Sequence, residues 1–168
     1  MTWGGRDVSR TRHFLPGKRV VLADIDCAAL AYAKENYAIE TVAVNLNERL
    51  PFESNCYDVV VMAEVLERLP YTHFTLSDVK RVLREAGAFI GSIPLAYHFK
   101  DRWQVLRGRK FWMAGDPTHL PFLKNDELRS MLSRYFRVEE VCVLKGGKKA
   151  ERWTRLFARE VTFHCVKK

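Results

Sequence analysis

The chain has 168 residues, of which 48% are hydrophobic and 12% aromatic, and it carries a formal net charge of +8. That length and apolar content fit one domain with a substantial core and argue against a disordered chain. No apolar stretch is long enough to span a bilayer, and the N-terminal residues lack the apolar core of a signal peptide, so a cytoplasmic protein is expected.

Apolar runs alternate with helical patterns along the chain, which predicts an α/β fold with a mainly parallel sheet. Arg19 to Asp24 (RVVLAD) reads as a strand covered on both faces. Asp26 is placed to cap a helix from about Cys27 to Tyr37. Thr41 to Asn45 reads as a second strand, followed by a polar loop that holds Leu50-Pro51-Phe52. Tyr57 to Met62 is a third strand, and Leu76 to Arg84 a helix that Gly87 is expected to end. Ala88 to Ile93 is a fourth strand stopped by Pro94.

Residues 95–121 form a basic, aromatic segment too long for a simple connection. It is expected to carry function or a short helix of its own. Asn125 is predicted to cap a helix from Asp126 to Tyr135. Phe136 to Leu144 and Leu156 to Val166 then read as an antiparallel pair at the sheet edge, joined by an exposed connection. Cys27, Cys56, Cys142 and Cys165 show no metal-type spacing and no disulfide framework, and are expected to be buried free thiols.

The positive charge gathers in two places. Lys100, Arg102, Arg107, Arg109 and Lys110 lie among Trp103, Phe111 and Trp112, and Lys145, Lys148, Lys149, Arg152, Arg155 and Arg159 lie near the C-terminus. Such clusters favour an anionic partner: a phosphorylated substrate, nucleic acid or an acidic membrane surface. Solubility alone accounts equally well for the net charge.

Four pieces carry a family resemblance. They are VVLADID at 20–26, VNLNERLPFESNCYDVVVMAEVLERL at 44–69, RVLREAGAFIGSIP at 81–94 and DPTHLPF at 116–122. Their order and spacing resemble class I S-adenosylmethionine-dependent methyltransferases, especially the small ubiquinone-type and the lipid- or sugar-modifying kinds. The resemblance implies a Rossmann-like three-layer sandwich whose ligands sit at the carboxyl ends of the strands. It also implies S-adenosylmethionine as cofactor, held by Gly4, Gly5, Asp24, Ile25, Asn45, Leu46 and Met62. Asp24 would accept hydrogen bonds from the ribose hydroxyls. Asn45 stands where the family has an aspartate that meets the adenine amino group; it reads equally as a turn residue after a strand.

On the substrate side the resemblance implies Glu64, Arg68 and His119. Arg68 replaces a family histidine, removing a general base and adding a fixed cation suited to a phosphate or carboxylate, or else it is an exposed helix arginine. His119 is the candidate base or orienting group, with Asp116 beside it; a capping or core histidine is the other reading. His73 and His98 are lesser candidates. The family's first strand normally precedes the glycines at the centre of the sheet, and the sequence starts at Met1, so that strand is expected to be missing. The edges left open would close up, be filled by another chain, or belong with residues upstream.

The expected function is methyl transfer to an anionic small molecule, lipid or saccharide. Residues 95–121 would be a substrate-side insertion in a single domain. Two alternatives remain: a truncated or degenerate homologue serving as a non-catalytic partner subunit, and an RNA-associated methyltransferase. A homo-oligomer or partner subunit filling the sheet gap is part of the same expectation.

Overall fold

The computed structural model describes residues 2–3, 19–96, 98–110, 123–144 and 147–168, with only the backbone of 2–3. Gly4, Gly5, Asp116 and His119 lie outside the described residues. The strands are β1 (Thr2–Trp3), β2 (Val21–Asp24), β3 (Glu40–Ala43), β4 (Tyr57–Ala63), β5 (Leu83–Pro94), β6 (Phe136–Val143) and β7 (Glu160–Lys167). The helices are α1 (Cys27–Tyr37), α2 (Thr72–Val82), α3 (Phe99–Leu106), α4 (Asn125–Ser133), α5 (Gly147–Arg152) and α6 (Thr154–Phe157). The strands make one open sheet in the order β3-β2-β1-β4-β5-β7-β6. Neighbours from β3 to β5 pair in parallel, and β7 pairs antiparallel with both β5 and β6.

The strand expected to be missing has a counterpart. Thr2 pairs with Leu22 of β2 and with Val61 of β4, and Trp3 pairs with Met62. Two residues of this same chain therefore occupy the central slot. The strands on either side neither close up on each other nor call for a second chain there. A two-residue strand is too short to show any apolar alternation, so the sequence pattern gave no sign of it.

Alternation along β2 shows the layers. Leu22 packs with Leu30, Ala33 and Ile39 of the α1 side, whereas its neighbour Ala23 joins the larger core cluster. Successive strand residues face opposite ways, so the two clusters lie on opposite faces of the sheet. The larger core sets Val60, Met62, Phe89, Ile93, Phe163 and Cys165 against Leu76 and Val79 of α2 and Leu128 and Leu132 of α4. Phe89 meets the Phe136 and Phe163 rings at 5.1 Å each. The arrangement is a three-layer α/β sandwich.

Local signals account for most element ends. The Asp26 carboxylate accepts the Ala28 and Ala29 amides at 2.9 and 3.2 Å, and α1 spans the residues the sequence indicates. At its other end Ala38 takes φ 50°, a left-handed conformation usually given to glycine. The second helix departs from expectation. It covers Thr72–Val82, Leu83 is already extended, and Gly87 lies within β5. Tyr57 pairs with Leu83 but Val59 with Ala88, so β5 bulges over residues 84–87, with Ala86 at φ 57°. Lys167 holds the bulge, with Nζ donating to the Leu83 carbonyl at 2.9 Å and meeting Glu85 at 3.0 Å.

Asn125 is the first residue of α4, and Lys124 takes the cap position. The segment before β7 is not a plain connection but holds α5 and α6, because Lys148-Lys149-Ala150-Glu151-Arg152 is a run of helix formers. Only Cys165 is a buried thiol. Cys27 and Cys142 are exposed and Cys56 is half-buried. Burial pushes the Cys165 thiol up to about 12. No helix among the described residues is long and apolar enough to cross a membrane.

Gly91 is where β5 meets both its neighbour strand and the core. A methyl group there would lie 2.4 Å from the Met62 carbonyl oxygen and 2.4 Å from the Phe163 ring. The ring can turn aside, but the strand backbone cannot. Gly91→Ala is expected to cost about 2–3 kcal/mol, read as a lowered midpoint in urea unfolding.

Candidate functional site

The carboxyl ends of β1 to β5 form one edge of the molecule, where an open parallel sheet binds its ligands. Asp24 ends β2, and its carbonyl accepts the Val44 amide at 2.9 Å, which ties the loop after β3 to it. The Asp24 Oδ1 accepts the Asp26 amide at 3.0 Å. Asp26 caps α1, so the two acids divide the work. Asp24 is left half-exposed at the strand end, and its second oxygen takes no hydrogen bond among the described residues. Ile25 projects beside it, 70% exposed.

Asn45 is a turn residue in the structure. Its Oδ1 accepts from the Asn47 backbone and side-chain amides at 3.1 and 3.2 Å, and its Nδ2 donates to Glu48 at 2.8 Å. The carbonyl of Leu46 accepts the Thr75 hydroxyl at 2.9 Å. Four residues further on, Asp78 and Arg81 of α2 clamp the Leu50-Pro51-Phe52 loop. Asp78 accepts the Leu50 amide at 2.7 Å and the Arg81 Nε at 2.6 Å. Arg81 donates in turn to the Phe52 carbonyl at 2.6 Å and the Leu50 carbonyl at 3.0 Å. Sequence reading missed this clamp, although an Asp and an Arg three apart on a helix face was a signal for it.

At the end of β4, the Met62 side chain is fully buried in the core and can serve a ligand only through its backbone. Glu64 is exposed and adopts φ 53°, and its amide donates to the Ser92 carbonyl at 3.0 Å. A side chain held in that conformation costs roughly 1 kcal/mol, a strain that often marks a working site. Arg68 follows in a short 3-10 turn, Leu66–Arg68, with Nε 3.8 Å from the buried Glu67 carboxylate.

The lesser histidines have structural partners. His73 Nδ1 lies 3.0 Å from the Tyr135 hydroxyl. His98 caps α3, its Nδ1 accepting the Lys100 amide at 3.2 Å, which places the ring proton on Nε2. Burial, and then the Arg159 charge, lower its pKa below the usual 6.5.

The open sheet, its antiparallel edge and the acid closing β2 together define the Rossmann-like methyltransferase class. The chain belongs to the methyltransferase domain family, whose model matches residues 4–91, and the cofactor of that family is S-adenosylmethionine. Solved structures repeat the fold. A SAM-dependent methyltransferase from Archaeoglobus fulgidus superposes with a TM-score of 0.73 at 14% identity, over 99% of this chain and 85% of the other. An S-adenosylmethionine-dependent methyltransferase from Mesorhizobium loti gives 0.69 at 13% identity, over 99% and 89%. A chain from the complex between the Haloferax volcanii Trm112 methyltransferase activator and its methyltransferase gives 0.70 at 15% identity, over 99% and 81%. None of the curated proteins matches this chain.

The Asp78 clamp sets a measurable expectation. Burial alone would raise the Asp78 pKa, but Arg81 and the Leu50 amide outweigh it and hold the carboxyl below its ordinary value. The resulting stability is present above the unfolded value of about 3.9 and is lost as pH falls through the lower folded value. Asp78→Asn is expected to cost about 3 kcal/mol at neutral pH. In urea unfolding the gap to wild type should narrow below about pH 4.

Proposed function

We propose that this chain transfers a methyl group from S-adenosylmethionine to an oxygen of an anionic small molecule, lipid or saccharide. The observation that carries the reading is the division between the two acids at the end of β2: Asp26 takes the helix cap and Asp24 keeps a half-exposed carboxylate with one oxygen unengaged among the described residues. That acceptor fits the cofactor's ribose hydroxyls, since carboxylate oxygens accept from O–H donors and only one lone pair of Asp24 Oδ1 is committed to the Asp26 amide. Gly4, Gly5, Ile25, Asn45, Leu46 and Met62 complete the proposed cofactor side. With the Asn45 side chain engaged in its turn, the Leu46 amide is the better placed of the two for adenine.

The sulfonium cofactor supplies the activated methyl group. The protein's work is then alignment, and removal of a proton where the acceptor requires it. His119 is the proposed base. Glu64 presents its carboxylate at the mouth of β4, and Arg68 supplies a cation close by. Residues 95–121 act as the substrate-side insertion, and α3 is the helix they were expected to contain.

A second reading has specific support. Both polar atoms of Asn45 are occupied by neighbours, which suits a homologue that has lost cofactor binding and serves as a partner subunit. RNA has weaker support: of the basic segments, Arg102, Arg152 and Arg155 line one concave cleft, which suits a small anion better than a polymer.

Calorimetric titration with S-adenosylmethionine separates these readings. Saturable heat is expected, with affinity reduced about tenfold or more in Asp24→Ala, the loss of hydrogen bonds to a charged group. Asp26→Ala should instead lower stability by about 1 kcal/mol and leave cofactor affinity in place. No heat from wild type at millimolar cofactor would make the partner-subunit reading the correct one.

A further inference from the structure

Two basic segments that are far apart in sequence meet in the structure. The Phe157 ring of α6 packs on Phe99 of α3 at 5.2 Å and reaches His98 at 6.5 Å. Arg102 Nη2 donates to the Arg155 carbonyl at 3.3 Å. Beneath this contact Arg159 Nη2 lies 3.4 Å from Asp101, whose side chain is buried. The α3 helix and the α5–α6 pair are thereby fixed against each other.

Between them and the first turn of α4 lies a cleft of about 750 Å³. That volume is in the range of small-molecule sites. Among the described residues, the charged side chains lining it are Arg102, Lys124, Arg152, Arg155 and Asp126. Asp126 is paired with Arg155 Nη2 at 2.6 Å. Lys124 is paired outside the lining, with Glu127 at 3.4 Å, yet the lining itself sets four cations against one acid, so the cleft favours an anion as occupant. Arg152 has no hydrogen bond or ion pair among the described residues.

The apolar side of the cleft narrows the occupant. Trp153, half-exposed, stands with Leu95 and Ala96 as an apolar wall, a surface on which a sugar-like ring can lie. Leu95 directly follows β5, so the cleft opens at the same end of the sheet as Asp24 and Glu64.

We propose that this cleft recognises a phosphate ester carrying free hydroxyl groups, either a free sugar or polyol phosphate or the same chemistry as a lipid headgroup. Arg102, Arg152 and Arg155 hold the phosphate and Trp153 backs the ring. This assignment rests on the methyltransferase reading and names the substrate side of that site.

The test follows the Trp153 indole N–H by nitrogen-15 NMR of the full chain, with the resonance assigned by its loss in Trp153→Phe. Glucose 6-phosphate is expected to shift it saturably, and glucose or an equal ionic strength of sodium chloride is not. The double variant Arg152→Gln, Arg155→Gln should weaken binding about tenfold or more, the effect of losing charge-assisted hydrogen bonds. Its unfolding midpoint and its affinity for S-adenosylmethionine serve as folding controls. A parallel arm uses phosphatidylinositol vesicles against phosphatidylcholine vesicles. Binding in either arm that the double variant loses supports the cleft, and the arm tells which source it takes. No shift in either arm, or a shift the double variant retains, would overturn it. A chain that binds glucose 6-phosphate but not S-adenosylmethionine would sink the methyltransferase reading and leave the phosphate site standing.

Discussion

The Asp78–Arg81 pair holds together what the rest of the site depends on. One carboxylate and one guanidinium, three residues apart on α2, bind the Leu50 amide, the Leu50 carbonyl and the Phe52 carbonyl. One turn earlier, Thr75 takes the Leu46 carbonyl. A single helix face thus fixes the whole stretch from Leu46 to Phe52, a loop whose backbone groups have no sheet to pair with. Polar backbone that is drawn toward a core must find partners, and here α2 supplies them. The loop lies beside the end of β2, and the position of Asn45 and Leu46 relative to Asp24 follows from that attachment.

The centre of the sheet obeys a related constraint. Parallel strands buried between helical layers need their hydrogen-bonding edges matched, and Thr2–Trp3 does this for β2 and β4 with two residues. The antiparallel half is more extensively joined, with β7 in register with β5 from Ala88 to Pro94. Phe163 closes over Gly91 at the heart of that pairing. Among the described residues, the longest run of pairing is therefore the one towards β7.

What the sequence made legible was local. The cap at Asp26, the apolar runs of β2 and β4, the stop at Pro94 and the antiparallel final pair all announce themselves within a few residues. The fold class follows from their order. The bulge at 84–87 was hidden because it depends on a left-handed alanine, Ala86, where the pattern directs attention to Gly87. The two short helices after β6 were hidden because a lysine-rich run reads as exposed connection. Cys27 and Cys142 were expected inside, but an isolated cysteine carries no periodic signal for which way it faces. The position of Asp24 at the end of a strand could be read from the apolar run before it. The burial of Met62 follows from alternation with Ala63. The meeting of α3 with α6 is a tertiary fact that neither segment encodes alone.

The placement of Arg102 against the Arg155 carbonyl has a broader consequence. α3 follows β5 and α6 precedes β7, so both walls of the basic cleft are rooted in the antiparallel half of the sheet, whereas Asp24 and the clamped loop belong to the parallel half. The two sides share the β4–β5 ladder but no loop. Substitutions in α3 and α6 can then reshape the basic cleft without touching the contacts by which α2 holds the loop. One sheet in this way carries two surfaces whose supporting segments are held in place independently of each other.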